Sequence, residues 1–346
     1  MKKVLIANRG EIAIRIARTC NDLGLKTVGI YSEDDANSLH LSKVDEAYKI
    51  DEKGAQAYLD IKEIIRIAKE SKADAIHPGY GFLSENSLFA SAVKRAKIKF
   101  IGPNERTLKI FGDKTSAKEL ASSLEIPVIS GTYEKTSIRQ AQNFMKSLKK
   151  NSSVVIKAIS GGGGRGMRVV SKIDDLKESF DRAASEAKAS FDSPDLYLEE
   201  YLKNYRHIEF QIIGDGTGEV SHLHERECSI QRRYQKLIEI APSPSLDLEL
   251  KSKMVEASLA LTQKLKYEGL ATIEFLVNVE KNDYRFIECN PRLQVEHTVT
   301  ESVLSMDIVK AQIQVASGKT LKQLKLEQKN IAEPKGYAIQ SRVNME

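Results

Sequence analysis

One pattern constrains the fold of this chain more than any other: over roughly its first 110 residues, short apolar runs alternate with amphipathic stretches. In KVLIANRGEIAIRIARTCNDLG, Val4 to Ala7 read as a strand and Gly10 allows a tight turn. Ile12, Ile16 and Leu23 then recur near helical spacing. KTVGIYS (26–32) is the next strand, YLDIKEIIRIAKESKA (58–73) an amphipathic helix, and AIHPG and KFIGP (99–103) are further strands. A strand joined to the next through a helix returns parallel to it. The expected class is α/β, opening on a doubly wound parallel sheet.

At 346 residues the chain is too long for one ordinary core, so further domains are expected. IPVISGT (126–132) reads as a linker, and beyond it hairpins take over. SVVIKAI and GMRVV flank a glycine run. DLYLEEYL (195–202) is a strand, and RHIEFQIIGDGTGEVSHLHERE (206–227) is a hairpin turning on Asp215-Gly216. IDDLKESFDRAASEAKASF and SKMVEASLALTQKL read as helices, and LATIEFLVN with DYRFIECN as a second hairpin. The layout is a small glycine-hinged module between two larger ones.

Several function classes fall away. The net charge of +5 carries no dense basic run, and 10 Phe, 12 Tyr and no Trp leave little to stack bases on, so no nucleic acid is expected. Cys20, Cys228 and Cys289 are far apart with no C-x-x-C, which argues against a disulfide framework or cysteine zinc site and fits a cytoplasmic protein. MKKVLIANRG is a first strand rather than a signal peptide, and no window suits a membrane span.

The glycines of AISGGGGRGMRVV let backbone N–H groups converge on an anion, with Lys157 before them and Arg165 after. A strand follows, so this is neither a Walker A loop nor a dinucleotide fingerprint, both of which open a helix. Glu274 sits inside an otherwise apolar strand, where an unpaired carboxylate would be costly. Glu288 and Asn290 are two apart on the next strand, hence on one face. Three oxygen donors on adjoining strands suit Mg²⁺; one carboxylate paired with Arg285 or Arg292 is the structural alternative. Arg292, Gln294 and Glu296 follow at spacing two, bringing a guanidinium able to grip a planar oxyanion and a carboxylate able to act as base. HERECSIQRRYQK (224–236) concentrates Gln231, Arg232, Arg233 and Lys236, which a solvated loop would also explain. His77, in HPGYGFLSEN (77–86), is as readily a structural histidine as a functional one.

Taken together, IANRGEIAIRI, AIHPGYGFLSEN, FIGP, GDK, the glycine run, RHIE, QRRYQK, IEFL and FIECNPRLQVEH resemble the biotin carboxylases of the ATP-grasp superfamily, in family order along the whole chain. The resemblance implies domains at 1–112 and 113–320, a mobile glycine-rich lid at about 131–203, and the start of an incomplete C-terminal domain at 321–346. It implies the first half-reaction of an acetyl-CoA, propionyl-CoA or pyruvate carboxylase: ATP phosphorylates bicarbonate, and the carboxyl passes to biotin on a carrier protein. By motif match, Lys114 and Lys157 bind phosphates, and Gly163 and Gly164 close over them. Glu199, Glu200, Tyr201 and Leu202 line the adenine pocket, His207 reaches the ribose, and Gln231 and Tyr234 join the nucleotide contacts. Glu274, Glu288 and Asn290 hold Mg²⁺ or Mn²⁺; Lys236, Arg292 and the Val295 backbone bind bicarbonate. Glu296 is the base, Arg342 stabilises the biotin enolate, and Tyr80 lies where biotin is presented.

Tyr234 stands where the family usually has His, and Ser160 precedes the glycines. The chain stops just past Arg342, where family members continue, so its last strand is expected to lack partners. The biotinylated A/V-M-K-M tetrad is absent, so biotin must arrive on a carrier protein or domain, with a carboxyltransferase beyond it and a homodimer as the family expectation. The rival readings are another ATP-grasp ligase and a non-catalytic nucleotide-binding module.

Overall fold

The computed structural model describes residues 1–160 and 167–343; Gly163, Gly164 and Arg165 lie outside them. The N-terminal part runs β1 (Lys3–Ile6), α1 (Gly10–Asp22), β2 (Lys26–Tyr31), β3 (Glu46–Lys49), α2 (Ile61–Glu70), β4 (Ala75–His77), α3 (Ser87–Arg95) and β5 (Lys99–Phe100). Its strands form a parallel sheet in the order β3-β2-β1-β4-β5. The order reverses between β1 and β4, and the crevice beyond the carboxyl ends of two such strands is where doubly wound sheets bind ligands. Asn8 spans it, donating from Nδ2 to Pro78 O and Tyr80 O, both at 2.8 Å. Gly79 must be glycine: its φ is +64°, and a Cβ would lie 2.8 Å from Asn8 Nδ2. Helix α2 begins later than its periodicity suggests, because Asp60 caps it by accepting from Glu63 N at 3.0 Å.

The chain continues through α4 (Glu105–Gly112), α5 (Lys114–Ser123), α6 (Ile138–Ser147), β6 (Ser153–Ala158), β7 (Arg168–Val170), α7 (Leu176–Phe191) and β8 (Leu196–Tyr201). Strands β7-β6-β8 form a small antiparallel sheet whose core is Ile156, Leu198, Ala141 and Ala183. The remainder is β9 (Arg206–Asp215), β10 (Val220–Arg232), β11 (Gln235–Ala241), α8 (Leu248–Lys264), β12 (Glu268–Asn278), β13 (Asp283–Asn290), α9 (His297–Leu304), α10 (Ile308–Ala316), α11 (Leu321–Leu324) and β14 (Ala338–Ser341). Its sheet is antiparallel, in the order β13-β12-β9-β10-β11-β14. On one face α8 buries Leu250, Met254 and Leu261 against Phe210 and Phe275. On the other, Ile308 and Ile313 of α10 share a core with Ile12 and Ile16 of α1, joining the two large units.

One sequence expectation and one alternative reading need correcting. IPVISGT is no free linker: Phe286 N donates to Pro127 O at 2.8 Å, Val128 bridges Phe286, and Gly131 bridges Glu199, so the segment is stitched to both antiparallel sheets. HERECSIQRRYQK is no solvated loop: it is the end of β10 and the start of β11, joined by Arg233 and Tyr234 at φ +52° and +64°, a two-residue hairpin turn. The last strand does find a partner, β11, with Ile240 opposite Ile339. Among the described residues no helix is long and apolar enough to cross a membrane, and all three cysteines are free and buried.

Candidate active site

Strand register builds the site. Arg226 of β10 lies opposite Glu209 of β9, Glu209 opposite Glu274 of β12, and Glu274 opposite Glu288 of β13. Three carboxylates side by side across adjacent strands repel one another and are desolvated, so cations must sit among them. Lys236 is one. Its Nζ donates to Glu209 Oε2 at 2.5 Å, Glu274 Oε1 at 2.8 Å and Glu296 Oε1 at 2.8 Å. Burial opposes its charge, but Glu209 and Glu274 outweigh burial and push its pKa well up. Arg226, fully buried, is the other: it donates to Glu209 Oε1 at 2.5 Å, Gln211 Oε1 at 2.8 Å, Thr300 Oγ1 at 2.9 Å and Thr272 Oγ1 at 3.1 Å.

The expected metal donors converge here. Glu274 Oε1 also accepts from Asn290 Nδ2 at 2.7 Å, and its Oε2 meets His207 Nε2 at 2.6 Å. Burial and then Glu274 push the Glu288 carboxyl up, with Lys114 opposing. A carboxyl raised by a neighbouring carboxylate is a place a divalent cation relieves, and the donors are hard oxygens, so these residues fit Mg²⁺. Two other groups bring ligand atoms close: His207, Glu209 and Glu274, and Glu209, Cys228 and Glu296. Both contain Glu209, which already bonds Lys236 and Arg226, and this disfavours a cation at either. Neither Arg285 nor Arg292 pairs with these acids; they bind Asp283 and Glu85.

Beyond Asn290 the chain leaves the strand, so Arg292, Gln294 and Glu296 are not aligned by pleat. Arg292 reaches back to Asn290 Oδ1 and Gln294 Oε1, each at 3.2 Å, and donates from Nε to Glu85 Oε1 at 2.5 Å. Val295 lies in the turn before α9, and Glu296 occupies its N-cap position, fully buried. Arg342 Nη2 donates to Glu296 Oε2 at 2.9 Å, and its Nε to Glu239 Oε1 at 2.6 Å. Tyr80 donates to Glu11; burial and that acid push its pKa up, keeping the hydroxyl protonated.

The small sheet faces this row. Lys157 of β6 and Lys118 of α5 both pair with Glu199 of β8, through Oε2 and Oε1 respectively. The Glu199 carboxylate therefore looks at lysines, while Glu200, Tyr201 and Leu202 are half-buried along the strand's exit. Lys114 lies with its Nζ 5.3 Å from the Tyr197 ring centre. His207 Nδ1 accepts from Gln231 Nε2 at 2.9 Å, and Tyr234 is displayed at the hairpin tip. His77 is structural: buried, with Nδ1 accepting from Gly79 N at 3.0 Å, and held neutral by burial with its pKa near 3.

Sequence reasoning did not name Glu209, Arg226, Lys118, Glu85 or Glu239. Glu209 was recoverable, since a carboxylate in the apolar run IEFQII is the same signal that marks Glu274.

The chain as a whole resembles known proteins. Residues 113–324 match the family described as carbamoyl-phosphate synthase L chain, ATP binding domain, and residues 1–108 match the biotin carboxylase N-terminal domain. Pyruvate carboxylase of Bacillus subtilis (strain 168) is 50% identical over 354 residues, covering 100% of this chain and 30% of that protein. Human mitochondrial pyruvate carboxylase is 48% identical over 349 residues, covering 100% of this chain and 29% of that protein. The chain thus spans about 30% of the length of these curated relatives. The biotin carboxylase domain dimer of Hydrogenobacter thermophilus 2-oxoglutarate carboxylase, solved with MgADP, ADP and bicarbonate, superposes with a TM-score of 0.93 at 42% identity, over 99% of this chain and 74% of that one. The Campylobacter jejuni biotin carboxylase–βγ-ATP complex gives 0.91 at 41% identity, over 99% and 75%.

Proposed function

The chain belongs to the biotin carboxylase family, and from that premise we propose that it carboxylates biotin, using ATP and bicarbonate. The observation that carries the reading is the row Glu209, Glu274 and Glu288 with Lys236 seated in it and Arg292 alongside. Phosphoryl transfer is mainly positioning and charge neutralisation. Lys114 and Lys157 would take the phosphates, and His207 and Gln231, with Glu200 to Leu202, the nucleoside. Glu274, Glu288 and Asn290 would hold Mg²⁺, which when bound supplies charge neutralisation at phosphoryl oxygens.

In the reaction, a bicarbonate oxygen forms a bond to the γ-phosphorus, the bond from that phosphorus to the β-phosphate bridge breaks, and ADP leaves with carboxyphosphate formed. Glu296 would take the bicarbonate proton. It can do so only when Lys236 and Arg342, which now occupy both of its oxygens, turn to the substrate anion. Arg292, held at Nε by Glu85, would grip a planar oxyanion beside them by exchanging the Asn290 and Gln294 side-chain partners of its Nη atoms for the anion. The carboxyl would then pass to the ureido nitrogen of biotin near Tyr80 and Arg342: its bond to the phosphate oxygen breaks, inorganic phosphate leaves, and the ureido N–H proton goes to that phosphate as the N–C bond forms.

The domain division at 1–112, 113–320 and 321–346, with a lid at about 131–203, belongs to the same reading; the small sheet and its two helices support the lid. The curated relatives are pyruvate carboxylases, which supports a 2-keto acid as final acceptor in preference to an acyl-CoA. Biotin on a carrier domain, a carboxyltransferase, homodimerisation and a reducing, cytoplasmic setting complete it.

The test is ADP release from MgATP with and without bicarbonate and free biotin. Release that requires bicarbonate and rises with biotin supports the reading; hydrolysis indifferent to both points to a different ATP-grasp ligase.

A further inference from the structure

Glu199 is the most buried carboxylate of the small sheet, and two lysines share it. Their origins differ. Lys157 stands on β6 within the small sheet, whereas Lys118 stands on α5, which belongs to the body and packs beside β13. Lys118 is one helical turn after Lys114, so the two lie on one face of α5. The Lys118 Nζ sits 3.7 Å from the centre of the Tyr133 ring, and the Tyr133 and Tyr197 rings lie 6.4 Å apart. The connection between body and small sheet passes the same spot: Thr132 N donates to Leu198 O at 2.9 Å, Glu200 N to Ser130 O at 2.8 Å, and Thr115 Oγ1 to Tyr133 O at 2.9 Å.

The charges decide what this cluster does. A carboxylate paired with Lys157 alone would neutralise it, and a neutral pair offers little to a polyphosphate. With Lys118 added, one negative charge is matched from the body, and the Lys157 charge remains in surplus; Lys157 lies opposite Tyr197, over whose ring Lys114 sits. The shifts agree with this arrangement. Burial would raise the Glu199 carboxyl, but Lys157 and Lys118 outweigh it and hold it down at about 2. Burial lowers Lys118 to about 8, with Glu199 opposing, and leaves it charged at neutral pH.

We propose that Lys118 is a positioning residue for the nucleotide: it satisfies Glu199 from the body side, so that Lys157 is held in place while its charge stays available to the phosphates. This rests on the reading of the chain as an ATP-dependent biotin carboxylase.

The test measures MgATP affinity and the KM values for ATP and bicarbonate in the full chain and in Lys118→Met, Lys118→Arg and Lys118→Met/Glu199→Gln. Losing one charged partner of an oriented cation predicts a rise of about tenfold or more in KM for ATP in Lys118→Met, with KM for bicarbonate unchanged. Lys118→Arg should recover most of the loss, and so should the double variant, because removing the carboxylate frees Lys157 again. That second recovery is one a merely structural role would not give. Unchanged ATP affinity in Lys118→Met, or a double variant as weak as the single one, overturns the proposal. Failure of the unmodified chain to bind MgATP at all would instead overturn the functional reading beneath it.

Discussion

Arg342 donates from Nη2 to Glu296 Oε2 at 2.9 Å, so the end of the last strand closes over the carboxylate that Lys236 holds from the opposite side at 2.8 Å. A buried acid clasped by two cations is stable as it stands. It is also primed: an anion that attracts Lys236 and Arg342 away leaves the buried Glu296 with free lone pairs.

Glu296→Gln should therefore lower turnover by about 10²–10⁴ while leaving MgATP affinity nearly intact, if the carboxylate acts as general base. Bicarbonate-dependent ADP release and an ATP titration on the same preparation give both numbers. A variant that no longer binds ATP would show that Glu296 serves the nucleotide instead.

Glu288→Ala should abolish Mg²⁺-dependent turnover, since a hard cation loses one of its carboxylates. Activity as a function of Mg²⁺ concentration checks it. Survival of full activity would move the metal to His207, Glu209 and Glu274, whose ligand atoms also converge.

Arg226→Met should destabilise the chain by about 3–5 kcal/mol, because Glu209 would stay buried with one of its two cations gone. Urea unfolding measures this. Arg226→Met/Glu209→Gln should regain part of the loss, because no unmatched charge then remains at that position; a double variant weaker than the single one would contradict the account.

The sheets and hairpins were legible because their signals are local: the apolar run LATIEFLVN, the Asp215-Gly216 turn, helical spacing in α1. The Glu274 carboxylate of the site was legible for a related reason, as a carboxylate within an apolar strand is locally anomalous. What escaped is long-range. Glu85 and Arg292 are 207 residues apart, and nothing in either segment announces the other. Arg226 in HERECS and Lys118 in TSAKELASS look like surface charges, and only register and packing bury them. Arg292 to Glu296 follow the strand at spacing two, but β13 ends at Asn290 and the residues meet by folding back. IPVISGT read as a linker because its pairing is by backbone, which carries no side-chain signature.

Asp35 makes the N-terminal unit acid-sensitive. It accepts from Tyr58 Oη at 2.6 Å, Arg9 Nη1 at 3.0 Å, Ser32 Oγ at 3.1 Å and Ser38 Oγ at 3.0 Å. Burial would raise its pKa, but Tyr58, Arg9 and the serines outweigh burial and hold it at about 2, below the ordinary value of 3.8. A depressed carboxyl stabilises the fold at any pH above its unfolded value and loses that contribution as pH falls through its folded one. With solvent screening allowed for, the contribution is about 1 kcal/mol. Asp35→Asn should thus be less stable than the unmodified chain at pH 7, and the gap should close as pH drops from about 4 toward 2. Urea midpoints of the two proteins across that range measure it, and a gap that stays constant would mean that the network acts through shape alone, without the Asp35 charge.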